Sequence, residues 1–116
     1  MSQYVDKTSK GSEMRHMTID EWRAEAMLRG GGNFIDVRFL CPRCENVSTP
    51  AQFVAVGAEG GRAPAECIGR TMTPMPKDDN AKPCNWAAFG FLRTLGRGII
   101  VEFPDGKTVE AFPFAE

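Results

Sequence analysis

The segment Phe39-Leu40-Cys41-Pro42-Arg43-Cys44 decides how the rest of the sequence is interpreted. Its two cysteines lie three positions apart, and the proline between them favours a tight turn. Such a turn can direct two thiolates at one cation while its backbone amides donate hydrogen bonds to the sulfurs. Glu45-Asn46 stands where a glycine is usual, and we expect Asn46 to adopt the left-handed backbone that glycine would supply.

The remaining cysteines complete a candidate metal site. Cys67 follows Cys44 after 22 intervening residues, and Cys84 follows Cys67 after 16. Tetrahedral zinc takes four ligands at Zn–S distances of about 2.3 Å, and a site with four protein ligands is structural because no position stays open for chemistry. The spacing predicts a split zinc ribbon in which residues 71–83 form an extruded loop. The predicted zinc ligands are Cys41, Cys44, Cys67 and Cys84.

Two alternatives remain open for these cysteines. In the first, Cys67 or Cys84 is a small buried apolar residue, with the fourth ligand elsewhere or with no metal present. Cys41-Pro-Arg-Cys44 also matches the redox dithiol of glutaredoxins, but that motif begins a helix, whereas residues 45–50 are poor in helix formers. The single histidine, His16, lies in a polar stretch, and we expect it to be solvated rather than a ligand.

Composition indicates one small domain with a thin core. The chain has 116 residues, of which only 24 are Leu, Ile, Val or Phe and 20 are Gly or Pro. A core this poor is marginal, so a metal would supply folding energy that apolar burial lacks. We predict a flexible tail at residues 1–16 and a single zinc-stabilised domain at residues 17–116.

Charge and hydropathy restrict the partners. The formal net charge is −1 and is spread evenly, so no basic face predicts strong nucleic-acid binding. No apolar run reaches the ~18–20 residues of a membrane span, and residues 1–11 lack the apolar stretch of a signal peptide. We therefore expect a cytoplasmic protein, in which clustered thiols stay reduced and bind metal.

The sequence predicts an α+β fold with an N-terminal helix and a C-terminal β-hairpin. Thr18 and Glu21 have the spacing of a capping box, which starts a helix that ends at Gly30-Gly31-Gly32. Thr49 and Pro50 predict the start of a second, short helix over residues 51–56.

Extended segments are predicted between and after these helices. Residues 33–40 alternate in hydropathy and indicate a strand, and residues 66–70 are expected to be extended. Asp105-Gly106 between residues 99–103 and 108–112 is a strong hairpin signal. In that hairpin we expect Glu110 to point to solvent.

A candidate binding surface accompanies the cysteines. Arg43 lies inside the first turn, Arg70 follows Cys67, and Trp86 follows Cys84. The arginines are expected to offset the negative charge of a zinc tetrathiolate, and Trp86 is expected to pack over the first turn. Base stacking by Trp86 or Phe89 would require exposed aromatic rings with arginine nearby. No catalytic set of side chains is recognisable, so no enzymatic activity is expected.

Four motifs carry a resemblance to a known family. They are Thr18-x3-Trp22, Phe39-x-Cys41-Pro42-x-Cys44, Glu66-Cys67-Ile68-Gly69-Arg70 and Cys84-Asn85-Trp86-Ala87-Ala88. In them the chain resembles a family of small uncharacterised proteins of bacteriophages and prophages, over residues 18–114. The resemblance implies a phage-type origin, a location in the host cytosol and cysteines that act as a set.

These observations lead to one expected function and two alternatives. We expect a non-enzymatic, zinc-stabilised binding module that binds and modulates a host or phage protein, for example as an inhibitor of host defence. The first alternative is a nucleic-acid-binding zinc ribbon. The second is a thiol oxidoreductase that uses Cys41 and Cys44.

Overall fold

A computed structural model describes residues 14–115. The helices and strands are β1 (Arg15–Thr18), α1 (Ile19–Arg29), β2 (Phe39–Leu40), β3 (Val47–Ser48), α2 (Pro50–Ala55), β4 (Ile99–Glu102) and β5 (Thr108–Ala111). Short 3-10 helices cover Phe34–Asp36, Gly60–Arg62 and Ile68–Thr71. The predicted α+β class is confirmed, with few helices and short strands. None of the helices in residues 14–115 has both the length and the apolar character that crossing a bilayer requires.

Two small sheets organise the chain. In the three-stranded sheet, β4 lies in the centre, with β1 parallel on one side and β5 antiparallel on the other. The β4–β5 pair is the predicted hairpin, closed by Gly106 at φ 89°. In the two-stranded sheet, β2 and β3 pair antiparallel. The segment between them, residues 41–46, carries Cys41 and Cys44 and is here called the first cysteine turn. The hairpin was the only strand pairing that the sequence indicated, so the parallel β1–β4 pair was not expected.

The N-terminal boundary of the folded part also differs from the prediction. Arg15 and His16 were expected in the flexible tail, but both lie in β1, opposite Ile99 and Ile100. Arg15 further donates to Glu25 of α1, at 2.6 Å from Nη2 to Oε1. The tail prediction is therefore wrong at these two residues, because a pairing partner far along the chain orders them. The part of the predicted tail before residue 14 lies outside the described residues.

The two helices begin where the sequence predicted. Thr18 forms a capping box with Glu21, and Thr49 forms one with Gln52 ahead of Pro50. Each box satisfies two backbone amides that the first helical turn leaves without partners. Of the strand expected at residues 33–40, only Phe39–Leu40 forms one, as β2. Phe34–Asp36 form a 3-10 helix instead, because the Asn33 side chain accepts from the amide of Ile35 and competes with extended backbone.

An aromatic cluster forms the centre of the core. The Phe39 ring lies 5.5 Å from that of Phe114 and 6.1 Å from that of Trp22, centroid to centroid, and Phe34 packs beside them. Phe39 is fully buried, and the isolated bridge between Phe39 and Phe114 joins β2 to the C-terminal end. Since Cys41 follows Phe39 by two residues, this cluster fixes the position at which the first cysteine turn begins.

Candidate metal centre

The first cysteine turn leaves β2 and returns into β3. The amide of Cys41 donates to the Asn46 carbonyl and the amide of Glu45 donates to the Cys41 carbonyl, each at 2.9 Å. The amide of Asn46 also donates to the Cys44 sulfur, at 3.4 Å. The turn thus directs both thiols to one side and supplies the amide–sulfur hydrogen bond expected of a metal-binding knuckle.

The residue with left-handed backbone in this turn is Glu45, at φ 66°, and not Asn46 as expected. A residue with a β-carbon costs roughly 1–2 kcal/mol in that region relative to ordinary backbone. The position directly after the second cysteine is therefore the one that demands the left-handed conformation. The surrounding turn has to offset this cost.

The second half of the site is assembled from two segments. The amide of Cys67 donates to the carbonyl of Trp86 at 3.0 Å, and the amide of Cys84 donates to the Cys67 sulfur at 3.3 Å. Residues 66–70 were expected to be extended, but a 3-10 helix begins at Ile68, and only Glu66 makes a β-bridge, to Ala87. Because this 3-10 helix begins directly after Cys67, it brings the backbone of Gly69 against the segment that carries Cys84.

Gly69 permits this close approach. A β-carbon at this position would lie 1.9 Å from the carbonyl oxygen of Cys84, a contact that no side chain can make without moving the backbone. Its role is therefore spatial, since its φ is not in the left-handed region. Nothing in the sequence pattern distinguished Gly69 from a turn glycine.

The four cysteines come together in space. Their sulfurs all lie within 4.8 Å of one another, with 3.6 Å between Cys41 and Cys84 and 3.7 Å between Cys44 and Cys67. Tetrahedral ligands at a Zn–S distance of about 2.3 Å would be about 3.8 Å apart, whereas a disulfide requires about 2.05 Å. Cys41, Cys67 and Cys84 are buried, and Cys44 is partly exposed. All four are free thiols in an arrangement that could hold a metal ion.

The surroundings of the cysteines favour negative charge on the sulfur of Cys67. A hydrogen bond from Cys41 lowers the pKa of Cys67 to about 5, and the amides of Gly69 and Cys84 act in the same direction against burial. The same hydrogen bond and burial raise the pKa of Cys41. Burial raises the pKa of Cys84 to about 11. Binding of a divalent cation to four thiolates would therefore release protons from the site.

The two predicted arginines have carboxylate partners. Arg43 donates to Asp79 at 2.8 Å, and its guanidinium lies 5.6 Å from the centre of the Trp86 ring. Arg70 donates to Glu66 at 3.2 Å and to the carbonyl of Asn85 at 3.0 Å. Arg43 thus ties the tip of the 71–83 loop to the first turn, and Arg70 ties the two segments of the second half together.

The contact between Arg97 and the first cysteine turn was not predicted from the sequence. Arg97 donates from Nη1 to the carbonyl of Pro42 inside the first turn, at 2.9 Å. It reaches the turn from just before β4, and no spacing rule could have indicated that contact. His16 is outside the site, since its Nδ1 lies 2.9 Å from Glu102 on β4.

A loop beside the second half exposes apolar side chains. Phe89 is 68% exposed and Phe91 is 98% exposed. The Arg70 guanidinium lies 5.6 Å from the centre of the Phe89 ring. The indole of Trp86 donates to the carbonyl of Arg93 at 2.7 Å, which anchors the loop to the segment that carries Cys84.

Comparison with known proteins gives one family. No curated protein and no solved structure matches the chain. A family model described as VVA0879-like does match, over residues 18–115, which include all four cysteines. The match does not bear on phage origin. Because it covers most of the sequence, the chain belongs to the VVA0879-like family.

Proposed function

We propose that the chain is a non-enzymatic, zinc-stabilised binding module with a ribbon-like metal centre. The observation that carries this proposal is the set of four cysteine sulfurs, two pairs of which are 3.6 and 3.7 Å apart. Four sulfur ligands suit zinc, and they leave no coordination position for a substrate or water. The metal then acts in folding, and function resides on the surface around it.

The biological role belongs to the same proposal. The protein is a phage-encoded accessory protein that acts in the host cytoplasm by binding and modulating a host or phage protein, for example a component of host defence. The motif resemblance and the balanced charge support this role. The contact surface comprises Arg43, Arg70 and Trp86, which lie around the cysteines on different segments and are held together by the metal.

Nucleic-acid binding is a second candidate function, and one observation favours it. Phe89 is an exposed ring with the arginine Arg70 nearby, which is the combination required for stacking on a base. Against it, Arg70 is paired with Glu66, and Arg43 is paired with Asp79. A tetrathiolate zinc centre would add further negative charge close by.

Thiol–disulfide exchange has weaker support. An exchanging Cys-x-x-Cys pair is activated by a helix that begins at the motif. Here α2 begins only at Pro50, after β3 has intervened. The sulfurs of Cys41 and Cys44 also have cross-partners in Cys84 and Cys67 rather than forming an isolated pair.

Metal analysis tests the first part of the proposal. We expect about one zinc per chain in protein purified without added metal, since one tetrahedral ion takes four thiolates. Protein that is folded and monodisperse with no bound zinc would contradict the proposal. Iron in place of zinc would retain the structural centre and reject the zinc assignment.

Partner capture tests the second part. The immobilised protein should retain a specific host protein, and Arg43→Glu should abolish that retention by reversing charge at the contact surface. Arg23→Glu, at an exposed position on α1, is the matched control and should behave as the parent. Retention that disappears after nuclease treatment and falls steeply with salt would instead favour nucleic acid. Equal retention by both variants would reject this surface.

A further inference from the structure

The loop of residues 89–92, here called the apolar loop, is exposed to an unusual degree. Phe89, Phe91 and Leu92 all point largely to solvent, and Val109 of the adjacent β5 is half-exposed. Together they expose roughly 500 Å² per chain, taking about 200 Å² for a whole aromatic side chain. A patch of this size lies in the upper part of the range for the largest apolar patch of a soluble monomer, and such patches are often functional.

The conformation of the apolar loop is held by specific contacts. Successive turns join the amide of Gly90 to the carbonyl of Ala87 and the amide of Arg93 to the carbonyl of Gly90. Arg93 and Leu95, which are not glycines, have φ values of 53° and 60°. Backbone in this region is unfavourable for both residues and persists only where the surroundings enforce it. Phe91 is therefore exposed from a loop whose backbone is hydrogen-bonded on both sides of it.

An apolar cleft of about 760 Å³ lies beside the apolar loop. The cleft is lined by side chains of α1 and of one face of the sheet, among them Ile19, Trp22 and Val101, and on one side by Phe89 and Phe91 of the apolar loop itself. The same surface thus carries a protruding aromatic side chain, Phe91, and a concave apolar site. A surface with both features can be complementary to itself, which a two-fold symmetric dimer requires.

The outer edge of β5 borders the same cleft. The amide of Phe103 donates to the carbonyl of Lys107, and hydrogen-bonded pairs alternate along an antiparallel ladder. Val109 therefore directs its backbone groups toward β4, whereas Thr108 and Glu110 direct theirs outward. In residues 14–115, β5 pairs with no strand other than β4. Directly after β5 the amide of Phe112 donates to the carbonyl of Pro64, so the open part of this edge comprises Thr108 and Glu110. A short open edge of this kind is a template for a further strand.

We propose that two copies of the chain form a symmetric dimer through the apolar loop and the outer edge of β5. Phe91 of each copy enters the cleft of the other, and the two β5 strands pair antiparallel. Standard stable interfaces bury about 800 Å² per partner. The exposed side chains supply more than half of that area, and the strand edge and cleft rim supply the remainder.

The strand register follows from charge. Pairing centred on Val109 sets Val109 against its own copy on the apolar side and sets Thr108 against Glu110. Pairing centred on Glu110 would set two carboxylates opposite one another, which is destabilising. Of these two registers the one centred on Val109 is favoured, and the sheet then continues through six strands. This inference does not depend on the proposed function.

The oligomeric state of the metal-loaded protein tests the proposal. Sedimentation or light scattering over a roughly thousandfold dilution series should show the parent chain as a dimer that dissociates on dilution. Phe91→Asp should be monomeric throughout. Leu28→Asp is the matched control, because Leu28 is 81% exposed on α1 but is not among the residues that line the cleft, and it should remain dimeric.

A second variant tests the strand edge separately. Thr108→Pro removes an amide that faces away from β4, so the β4–β5 ladder keeps its hydrogen bonds and only the dimer should weaken. Zinc content and circular dichroism establish that each variant is folded. A parent chain that is monomeric at every concentration would overturn the proposal, as would a Phe91→Asp variant that stays dimeric. Equal dissociation of Phe91→Asp and Leu28→Asp would also overturn it.

Discussion

The two ends of the core are stabilised by different chemistry. At one end, Trp22, Phe39 and Phe114 pack ring against ring with centroids 5.5–6.1 Å apart. At the other end, four cysteines from three separated segments meet. The aromatic end gains stability from burial itself. The cysteine end, in the proposed zinc-bound form, would depend on an ion to compensate for the charge of four thiolates.

The strongest test of this comparison removes one sulfur. We expect Cys44→Ser to unfold the domain, because metal binding in small zinc domains contributes roughly 10–16 kcal/mol and domains of this size are stable by only about 5–15 kcal/mol. Zinc analysis and thermal unfolding by circular dichroism measure the loss. A Cys44→Ser variant as stable as the parent would show that the sulfurs do not stabilise the fold.

The matching test at the aromatic end is Phe39→Ala. Phe39 is fully buried, so its truncation should lower the free energy of unfolding by about 3–5 kcal/mol. Unlike loss of a sulfur, it should leave about one zinc bound to the folded protein. Urea unfolding measures the free energy of unfolding, and metal analysis measures the zinc content. The control is Leu28→Ala on the exposed side of α1, which should change stability by less than about 0.5 kcal/mol. Loss of metal from folded Phe39→Ala would mean that metal binding by the cysteines depends on the packing of the aromatic cluster.

A smaller change sharpens the description of the cysteine end. Gly69→Ala places a methyl group against the carbonyl of Cys84, so we expect a loss of about 1–3 kcal/mol and faster metal release to a chelator. Gly61→Ala is the control, because a β-carbon there meets no atom within 4 Å. If both alanine variants release metal at the parental rate, the close approach at Gly69 does not support the site.

The smallest expected effect concerns Glu25 of α1, which forms ion pairs with Arg15 of β1 and with Arg29. Arg15 and Arg29 hold the pKa of Glu25 at about 2 against an ordinary 4.5. A lowered folded-state pKa contributes stability above about pH 4.5 that is lost as the pH falls toward 2. Because the pair is near the surface, Glu25→Gln should cost no more than about 1 kcal/mol at pH 7.

The pH series for Glu25→Gln is read as a difference from the parent, because acid also protonates the thiolates. That difference should be constant above about pH 4.5 and shrink below it, as far as the metal stays bound. Glu59→Gln, at an exposed carboxylate, should follow the parent curve throughout. A Glu25→Gln difference that grows as the pH falls would contradict the assigned sign.

Local signals explain what the sequence could predict. The turn at Cys41 and Cys44, the capping threonines and the Asp105-Gly106 hairpin each depend on a few neighbouring residues. The pairing of β1 with β4 was missed because strand 15–18 is too short to show a period and its partner lies at the opposite end of the chain. A polar composition there predicted a tail instead.

Packing between distant segments explains the rest. The sequence named all four cysteines, but it could not indicate that Arg97 would reach Pro42 or that Gly69 would lie against Cys84. Glu110 was expected in solvent, yet its carboxylate accepts from the amide and hydroxyl of the buried Thr94. The exposure of Phe91 was equally hidden, because an aromatic residue in an irregular segment is ordinarily assigned to the core.

The contact between Gly69 and Cys84 makes the intervening segment a natural site for protein engineering. The chain leaves the cysteine centre and re-enters it at nearly the same point, and Asp79 near its tip is almost completely solvated. Doubling a closed loop costs only about 0.6 kcal/mol in chain entropy. A fluorescent or affinity module inserted after Asn80 should therefore leave the fold intact. Because the module would be attached within the segment that joins Cys67 to Cys84, its signal would report on whether a metal ion is bound.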